Sequence, residues 1–396
     1  MKNIRLLKLF NFFLDFAPYS PFLILYFAQT TGSFALALGI FSIHSISTCI
    51  FEVPTGVFSD RIGRKKTMVL GSLANVVALS FYAWSGSIWV LGIGAIFAGL
   101  AESLFSGNNE ALLYETLKEN KQEKDYAAVS GKVAALFQVG LTTSALLGST
   151  LSLWSLNLVM WVSVLPQVIC LLISLNIKEP TVHSDKIKTN IFGHLKEALT
   201  AFKNNTKLKT LSLTHILDFG VGECMHQFNP AFVAMLWPSW AIGIMRALSN
   251  GIAFLGFHFS GNLLKRFSEL KLLLSFAILD TILALAALIF PTVFSPIFLT
   301  FTSFGFAITV VSKGSLLQKE FTDEQRATMG SLNSLFGNIS FAIFAVVLGY
   351  VADKSSPREA LLLGELISMG TIALYWNLFK KGESHLKEMA NKIRTN

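Results

Sequence analysis

Long apolar segments recur along almost the whole of this 396-residue chain. Twelve of them can be delimited, at 7–29, 35–58, 67–84, 88–116, 127–150, 154–176, 208–232, 237–264, 271–290, 295–319, 327–351 and 360–380. A helix needs roughly 20 apolar residues to cross the hydrocarbon core of a bilayer. Segments of this length, without strict alternation of apolar and polar residues, predict helices rather than the strands of a membrane barrel. The sequence therefore predicts an all-α polytopic membrane protein with twelve transmembrane helices.

The composition excludes the soluble classes of protein. Hydrophobic residues make up 53% of the chain and charged residues 14%, whereas soluble domains carry about 25% charged residues. The net charge of +8 does not indicate nucleic-acid binding, because the basic residues lie in short runs between apolar segments rather than on one folded face. The three cysteines lie inside apolar segments, and neither an HExxH nor a nucleotide-binding GxxxxGK motif is present. We therefore expect no metal, no cofactor and no enzymatic activity.

The basic residues mark one side of the membrane. Lys and Arg concentrate in the connections that follow even-numbered segments, while the odd-numbered connections hold only Lys354 and Arg358. Loops rich in Lys and Arg remain in the cytoplasm. We therefore predict a multi-pass protein of the cell membrane with both termini cytoplasmic.

A long polar break divides the apolar segments into six and six. It spans residues 177–207, so we predict an N-terminal bundle at 1–176, a cytoplasmic linker at 177–207 and a C-terminal bundle at 208–396. Apolar residues at helical spacing between Ile191 and Phe202 predict an amphipathic helix within the linker. The segment Leu-Asp-Phe at 14–16 recurs at 217–219, an offset of 203 residues, and other short matches share nearly the same offset. These matches indicate that the two bundles are an internal repeat.

The connection between the second and third segments carries the most specific motif in the chain. It reads E-V-P-T-G-V-F-S-D-R-I-G-R-K-K at residues 52–66. This motif resembles the G-x-x-x-D-R-x-G-R-K loop of the major facilitator superfamily, and in particular of a bacterial branch, which places the protein in a bacterial plasma or inner membrane. The resemblance implies two six-helix bundles around a central cavity. It also implies that a latch between the bundles is formed by Gly56, Asp60, Arg61, Gly63 and Arg64.

Two departures from the family pattern bear on the mode of transport. The drug/proton antiporters of this superfamily carry a Gly-Pro pair in the fifth span, whereas this chain has no proline between Gly140 and Gly148. Those antiporters also carry an Arg near the middle of the fourth span, where this chain has Glu102. Both departures weaken the case for proton-driven drug efflux.

Ionisable and polar residues inside the spans are the candidate sites for protons or substrate, because charges within a membrane are costly. In this superfamily the first, fourth, seventh and tenth spans line the cavity. The candidates are Asp15, Glu102, Asn108, Asn109, Glu110, Tyr114, Asp218, Glu223, His226, Arg246 and Lys313.

Several candidates have two interpretations. Asp15 and its repeat mate Asp218 are suited to carry a proton or a cationic group, or to act as structural acceptors. Glu110 either contacts substrate or pairs with Lys313. Arg246 either binds an anionic group or neutralises Glu223 or Asp218. His226 either relays protons or packs as a hydrogen-bonded side chain.

Together these features predict a secondary active transporter that moves a small molecule by alternating access, with protons as the candidate coupling ion. A cavity lined by Phe, Leu and Trp favours efflux of amphipathic or drug-like compounds by antiport. The charges within the spans favour the alternative, an uptake or exchange permease for a polar or charged metabolite. The expected partners are the substrate, protons and the bilayer, and we expect a monomer. A membrane-embedded enzyme or receptor scaffold would need a catalytic constellation or a soluble domain, and the sequence shows neither.

Replacing Asp60 by Asn tests the latch. Asp60 is not required for the positive-inside pattern, but its negative charge favours contact with a helix N-terminus. We expect slower transport in reconstituted vesicles with normal membrane insertion. The matched control is Asp125→Asn, which removes a carboxylate from another predicted cytoplasmic loop. Turnover of Asp60→Asn at the wild-type rate, at equal protein levels, would contradict the latch.

Overall fold

The computed structural model describes residues 2–181, 206–320 and 326–395, which form helices joined by short connections. In chain order the helices are α1 (Lys2–Leu14), α2 (Leu23–Thr31), α3 (Phe34–Ile62), α4 (Arg64–Trp84), α5 (Ile88–Phe105), α6 (Asn108–Glu119), α7 (Tyr126–Ser152), α8 (Leu156–Asn176), α9 (Thr206–Val233), α10 (Ser239–Arg266), α11 (Glu269–Ile289), α12 (Ser295–Glu320), α13 (Arg326–Lys354) and α14 (Pro357–Thr395). Short 3-10 turns lie at Ser20–Phe22 and Glu123–Asp125. No strand occurs in the described ranges, so the all-α prediction is confirmed.

Each predicted apolar segment corresponds to one helix or to two consecutive helices. Ten helices of the described part are long and apolar enough to cross a membrane. The other two predicted spans are the first, which is divided, and the seventh, where α9 is 28 residues long but more polar. Large side chains such as Ile50 and Trp89 remain exposed along the helices, as expected for surfaces in contact with lipid. The chain is a polytopic membrane protein.

The first span is not the continuous helix that its hydropathy predicts. Helix α1 ends at Leu14, and a non-helical stretch and a 3-10 turn precede α2. Pro18 and Pro21 explain the break, because proline has no N–H to donate to the preceding turn. The amide of Gln167 in α8 donates to the carbonyl oxygens of Phe13 and Leu14, at 3.4 and 3.3 Å. These contacts satisfy part of the backbone that the break leaves open.

The helices form two compact units, which comprise residues 1–187, 227–250 and 345–357 in the first and residues 188–226, 251–344 and 358–396 in the second. The predicted bundles at 1–176 and 208–396 stay a prediction. The predicted amphipathic helix of the linker, between Ile191 and Phe202, lies outside the described residues.

The first unit has an apolar core where α1, α4, α6 and α8 meet. Phe10, Met68, Leu112 and Cys170 are fully buried in it. The connection at residues 59–66 lies at one end of this unit, and helix α3 begins at the other end, at the N-cap residue Ser33. We call the end that carries the 59–66 connection the loop end, and the end at which α3 begins the far end.

The second unit has its own core and a charged triad beside it. Leu211, Leu273 and Leu316 form part of the core together with Tyr375, which is 2% exposed. The Nζ of Lys313 in α12 and the hydroxyl of Tyr375 in α14 both donate to Oδ2 of Asp218 in α9, at 2.5 and 2.6 Å. One carboxylate thus joins three helices.

Replacing Lys313 by Met tests how far this triad stabilises the second unit. The substitution leaves a largely buried carboxylate at Asp218 without its counter-charge, which typically costs about 3 kcal/mol or more. We expect a clear fall in the thermal unfolding midpoint of the detergent-solubilised protein. The double variant Lys313→Met/Asp218→Asn removes both charges and should recover most of the loss.

The matched control is Lys319→Met. Lys319 pairs with Glu269 in the same unit, but the lysine side chain is 62% exposed. Exposed ion pairs contribute about 0–1 kcal/mol, so this variant should melt close to the wild type. Equal losses for the two lysine variants, or no recovery in the double variant, would contradict the structural role of the triad.

Candidate functional site

Asp15 lies at the break in the first span. It is the first residue after α1 and is partly buried. Within the described ranges its carboxylate has no ion-pair partner. Polar groups at discontinuous membrane helices are a recurrent feature of transporter binding sites. The hydropathy pattern predicted Asp15 within a continuous helix; the structure places it beside non-helical backbone.

A second carboxylate of the first unit, Glu102 of α5, contacts α3. Its Oε2 lies 3.0 Å from Nε2 of His44, and the hydroxyl of Thr48 donates to the same oxygen at 3.4 Å. His44 and Thr48 are four residues apart on α3, so both side chains lie on one face of that helix. The Glu102 side chain is 58% exposed despite these contacts.

The helix that carries Glu102 shows which way this exposed carboxylate points. Ile93 and Ile96 are exposed large hydrophobic side chains of α5, and they mark its lipid-facing side. Glu102 follows Ile93 by nine residues, which is about two and a half turns and places the two on opposite sides of the helix. The exposed part of Glu102 therefore faces away from lipid.

Tyr19 is the residue that relates the positions of the two carboxylates. It lies in the break of the first span and within electrostatic range of both Asp15 and Glu102. We group these residues with His44 and Thr48, the two contacts of Glu102, and call the group the Asp15–Glu102 site. The site can hold a proton or a positively charged group, because it contains two carboxylates and its one basic side chain is a histidine.

The signature connection lies in a separate network at the loop end. Arg64 contacts Asp60 at 3.1 Å and Glu115 at 3.4 Å. Its guanidinium also donates to the hydroxyl of Ser59 at 2.9 Å. The amide of Asn108 donates to the Arg64 carbonyl at 3.0 Å and accepts from Ser59 at 2.8 Å. Asn108, which was predicted as a candidate for substrate binding, thus stabilises this network through two hydrogen bonds.

Glu179 supports the same network from the end of α8. Its two carboxylate oxygens accept the backbone N–H groups of Arg64 and Lys65, at 2.6 and 2.8 Å. These are the first N–H groups of α4, which have no partner within the helix. Gly63 has φ +99°, and a Cβ there would lie 2.8 Å from the Glu179 carboxylate. A glycine is therefore required at this turn.

The remaining latch residues, Gly56 and Arg61, are exposed near the end of α3. All five predicted latch residues thus lie at the loop end of the first unit. Their role between the two bundles stays a prediction.

The other candidates of the fourth span lie nearer the loop end. This span is also divided, because Gly107 adopts the left-handed conformation between α5 and α6. The Asn109 side chain is buried at its Oδ1, Glu110 is exposed, and Tyr114 packs edge-on against Tyr126 with ring centroids 5.5 Å apart.

The candidates of the seventh, eighth and tenth spans are distributed over both units. Lys313 was predicted as an alternative partner of Glu110, but the structure gives it Asp218. Glu223 is partly buried and His226 exposed in α9, and Arg246 is partly buried in α10. Each of these three has polar or electrostatic contacts, and their proposed roles stay predictions.

The candidates predicted from the sequence omit several charged or titratable residues that the structure brings into contacts. His44 lies in the second span, which is not among the four spans that line the cavity in this superfamily; the available signal was a histidine and a threonine at i and i+4 on one helix face. Glu179 was overlooked although it directly follows the sixth span. Asp280 of α11 packs against α12 and lies within electrostatic range of Glu365 of α14. No cluster of three metal-ligating side chains occurs in the part of the chain that the structure describes.

Comparison with known proteins agrees with this architecture. The uncharacterised transporter YxaM of Bacillus subtilis (strain 168) is 24% identical over 94% of this chain and 95% of its own length. The multidrug resistance protein MdtH of Cronobacter sakazakii is 25% identical over 42% of this chain and 40% of its own length. The crystal structure of the nucleoside transporter NupG superposes with a TM-score of 0.81 at 16% identity, over 96% of this chain and 100% of NupG. This likeness shows the fold.

The family assignment follows from the match to a sequence family. The model of the Major Facilitator Superfamily matches residues 6–345, which is most of the chain. With the membrane helices and the fold described above, this makes the chain a member of the major facilitator superfamily of secondary transporters.

Proposed function

We propose that this transporter exports amphipathic cations in exchange for protons, and that both bind at the Asp15–Glu102 site. The observation that carries the proposal is the difference between the two repeat mates Asp15 and Asp218. Asp218 is occupied by Lys313 and Tyr375. Asp15 has no such counter-charge within the described residues, so it is available to a cation or a proton.

The chemistry of the site favours a cation over an anion. Asp15 and Glu102 bring negative charge, and the described contacts of Glu102 are with His44 and Thr48 rather than with a lysine or arginine. The two carboxylates outnumber the one histidine of the site, which favours a positively charged ligand.

Aromatic side chains beside the break suit an amphipathic ligand. Phe12 and Phe16 flank Asp15 in sequence, and their ring centroids are 5.7 Å apart. Aromatic faces attract organic cations, and a ligand site typically combines apolar walls with few polar groups. The similarity of part of the chain to the multidrug resistance protein MdtH supports export as the direction.

The proposed orientation rests on the distribution of basic residues. The loop end carries Arg61, Arg64, Lys65 and Lys66, so we place it in the cytoplasm together with both termini. In this orientation the latch at the loop end operates on the cytoplasmic side. We expect the protein to act as a monomer in the bacterial plasma or inner membrane.

A second candidate function is uptake or exchange of a polar or charged metabolite. The triad of Asp218, Lys313 and Tyr375 favours it, because it supplies both a charge pair and a hydroxyl that a polar substrate could engage. The Asp218 side chain is 23% exposed and that of Lys313 is 14% exposed. To bind there, a substrate would have to replace the ion pair between Asp218 and Lys313.

A ligand-stabilisation screen of the purified protein separates the two functions. A compound that binds the folded state raises the unfolding midpoint. Lipophilic cations such as tetraphenylphosphonium should stabilise the wild type, whereas sugars, amino acids and organic anions should not. Stabilisation by a polar metabolite alone would favour the second function.

Asp15→Asn tests the proton-coupling role. We expect loss of flux driven by an imposed pH difference in proteoliposomes, because the amide cannot exchange a proton. Exchange of substrate between the two sides should persist, since it needs no net proton movement. Asp125→Asn, in the loop after α6, is the matched control and should transport at the wild-type rate. Accumulation by Asp15→Asn against a gradient when a pH difference is imposed would show that Asp15 is not the proton carrier.

A further inference from the structure

The first turn of α3 is bound by a carboxylate from a remote part of the chain. Asp353, in the last turn of α13, accepts the backbone N–H of Phe34 at 2.6 Å and that of Ala35 at 3.1 Å. The hydroxyl of Ser33 donates to the same carboxylate at 2.5 Å. Three donors of one helix N-terminus therefore converge on one side chain, which lies about 320 residues away in sequence.

The physical basis of this contact is the helix N-terminus. The first N–H groups of a helix lack partners within it, and the helix dipole favours a negative charge there. The hydroxyl of Ser33 also accepts the N–H of Leu36 at 3.1 Å, so Ser33 caps the helix and binds Asp353 at once. The adjacent Lys354 places its ammonium over the ring of Tyr350, at 5.9 Å from the centroid.

Close packing surrounds the contact. Gly349 lies one turn before Asp353 on α13, and a Cβ there would lie 2.5 Å from the Cα of Ala35. The rings of Phe34 and Phe228 are 5.3 Å apart, which brings the end of α9 to the same place. These residues all belong to the first compact unit. They join helices of the first six predicted spans to helices of the last six at the far end.

We propose that Asp353 is a clamp that holds the far end closed and must release α3 in every transport cycle. The inference rests on the alternating access proposed above, in which the two six-span halves move relative to each other. Asp353 belongs to the eleventh span and α3 is the second. The far end cannot open with all three hydrogen bonds intact, so the clamp biases the transporter towards the state in which the far end is closed.

Distance measurements between spin labels test the clamp without a substrate. Leu153 and Met235 lie just after the ends of α7 and α9, and their side chains are 62% and 52% exposed. Labels are attached at Leu153→Cys and Met235→Cys after replacement of Cys49, Cys170 and Cys224, and the protein is placed in lipid nanodiscs. Pulsed electron–electron double resonance then measures the distribution of distances between the two labels, in which long distances report opening of the far end.

In this background Asp353→Asn should increase the ratio of long to short distances at least tenfold, since three charge-assisted hydrogen bonds are weakened. Ser33→Ala removes one of the three donors and should give a smaller increase. Lys354→Gln is the matched control, because it changes the adjacent charge without touching α3, and its distances should equal those of the parent.

An unchanged distance distribution in both Asp353→Asn and Ser33→Ala would overturn the clamp, as would an equal shift in Lys354→Gln. Monodispersity and the unfolding midpoint of each variant show that it is folded, and Ser33→Ala keeps the test valid if Asp353→Asn is unstable. Because no ligand is needed, a shift in distances without binding of tetraphenylphosphonium would support the clamp and argue against the proposed substrate.

Discussion

The hydrocarbon core of a membrane supplies no hydrogen-bond partners, and this constraint organises the polar groups of the protein. At the break in the first span, the side-chain amide of Gln167 donates to the carbonyl oxygens of Phe13 and Leu14. Between α3 and α5, the hydroxyl of Thr55 donates to carbonyl oxygens of its own helix and to that of Ser103. Against this background, a carboxylate such as Asp15 without an ion-pair partner in the described ranges is the natural place to seek function.

Asp15 and Asp218, the two carboxylates of the repeated Leu-Asp-Phe segment, lie in different environments. Asp218 is held by a lysine and a tyrosine and connects three helices. Asp15 lies at a break, and Tyr19 is within electrostatic range of both Asp15 and Glu102. A carboxylate with a fixed counter-charge stabilises a bundle, whereas one without it can exchange protons or cations. Under the proposed function, Asp15 supplies the chemistry and Asp218 supplies structural support.

The same type of contact, a carboxylate bound to a helix N-terminus, occurs at both ends of the first unit. At the loop end, Glu179 accepts the first N–H groups of α4. At the far end, Asp353 accepts the first N–H groups of α3. In each case a carboxylate distant in sequence satisfies a helix N-terminus, which exploits the positive end of the helix dipole. At the far end, a directional and short-ranged contact of this kind suits the separation of the two halves proposed above.

The sequence by itself determined the class of protein, the positions of the spans and the signature connection. Hydropathy sums over some 20 residues, so these features depend on local composition and survive any detail of packing. Pro18 and Pro21 also indicated the break at Asp15, but the continuous hydropathy of the first span favoured an unbroken helix. Only the tertiary structure decided that Glu102 meets His44 and that Lys313 meets Asp218. The choice of partner depends on the rotation and depth of each helix against its neighbours, which distant residues set through packing.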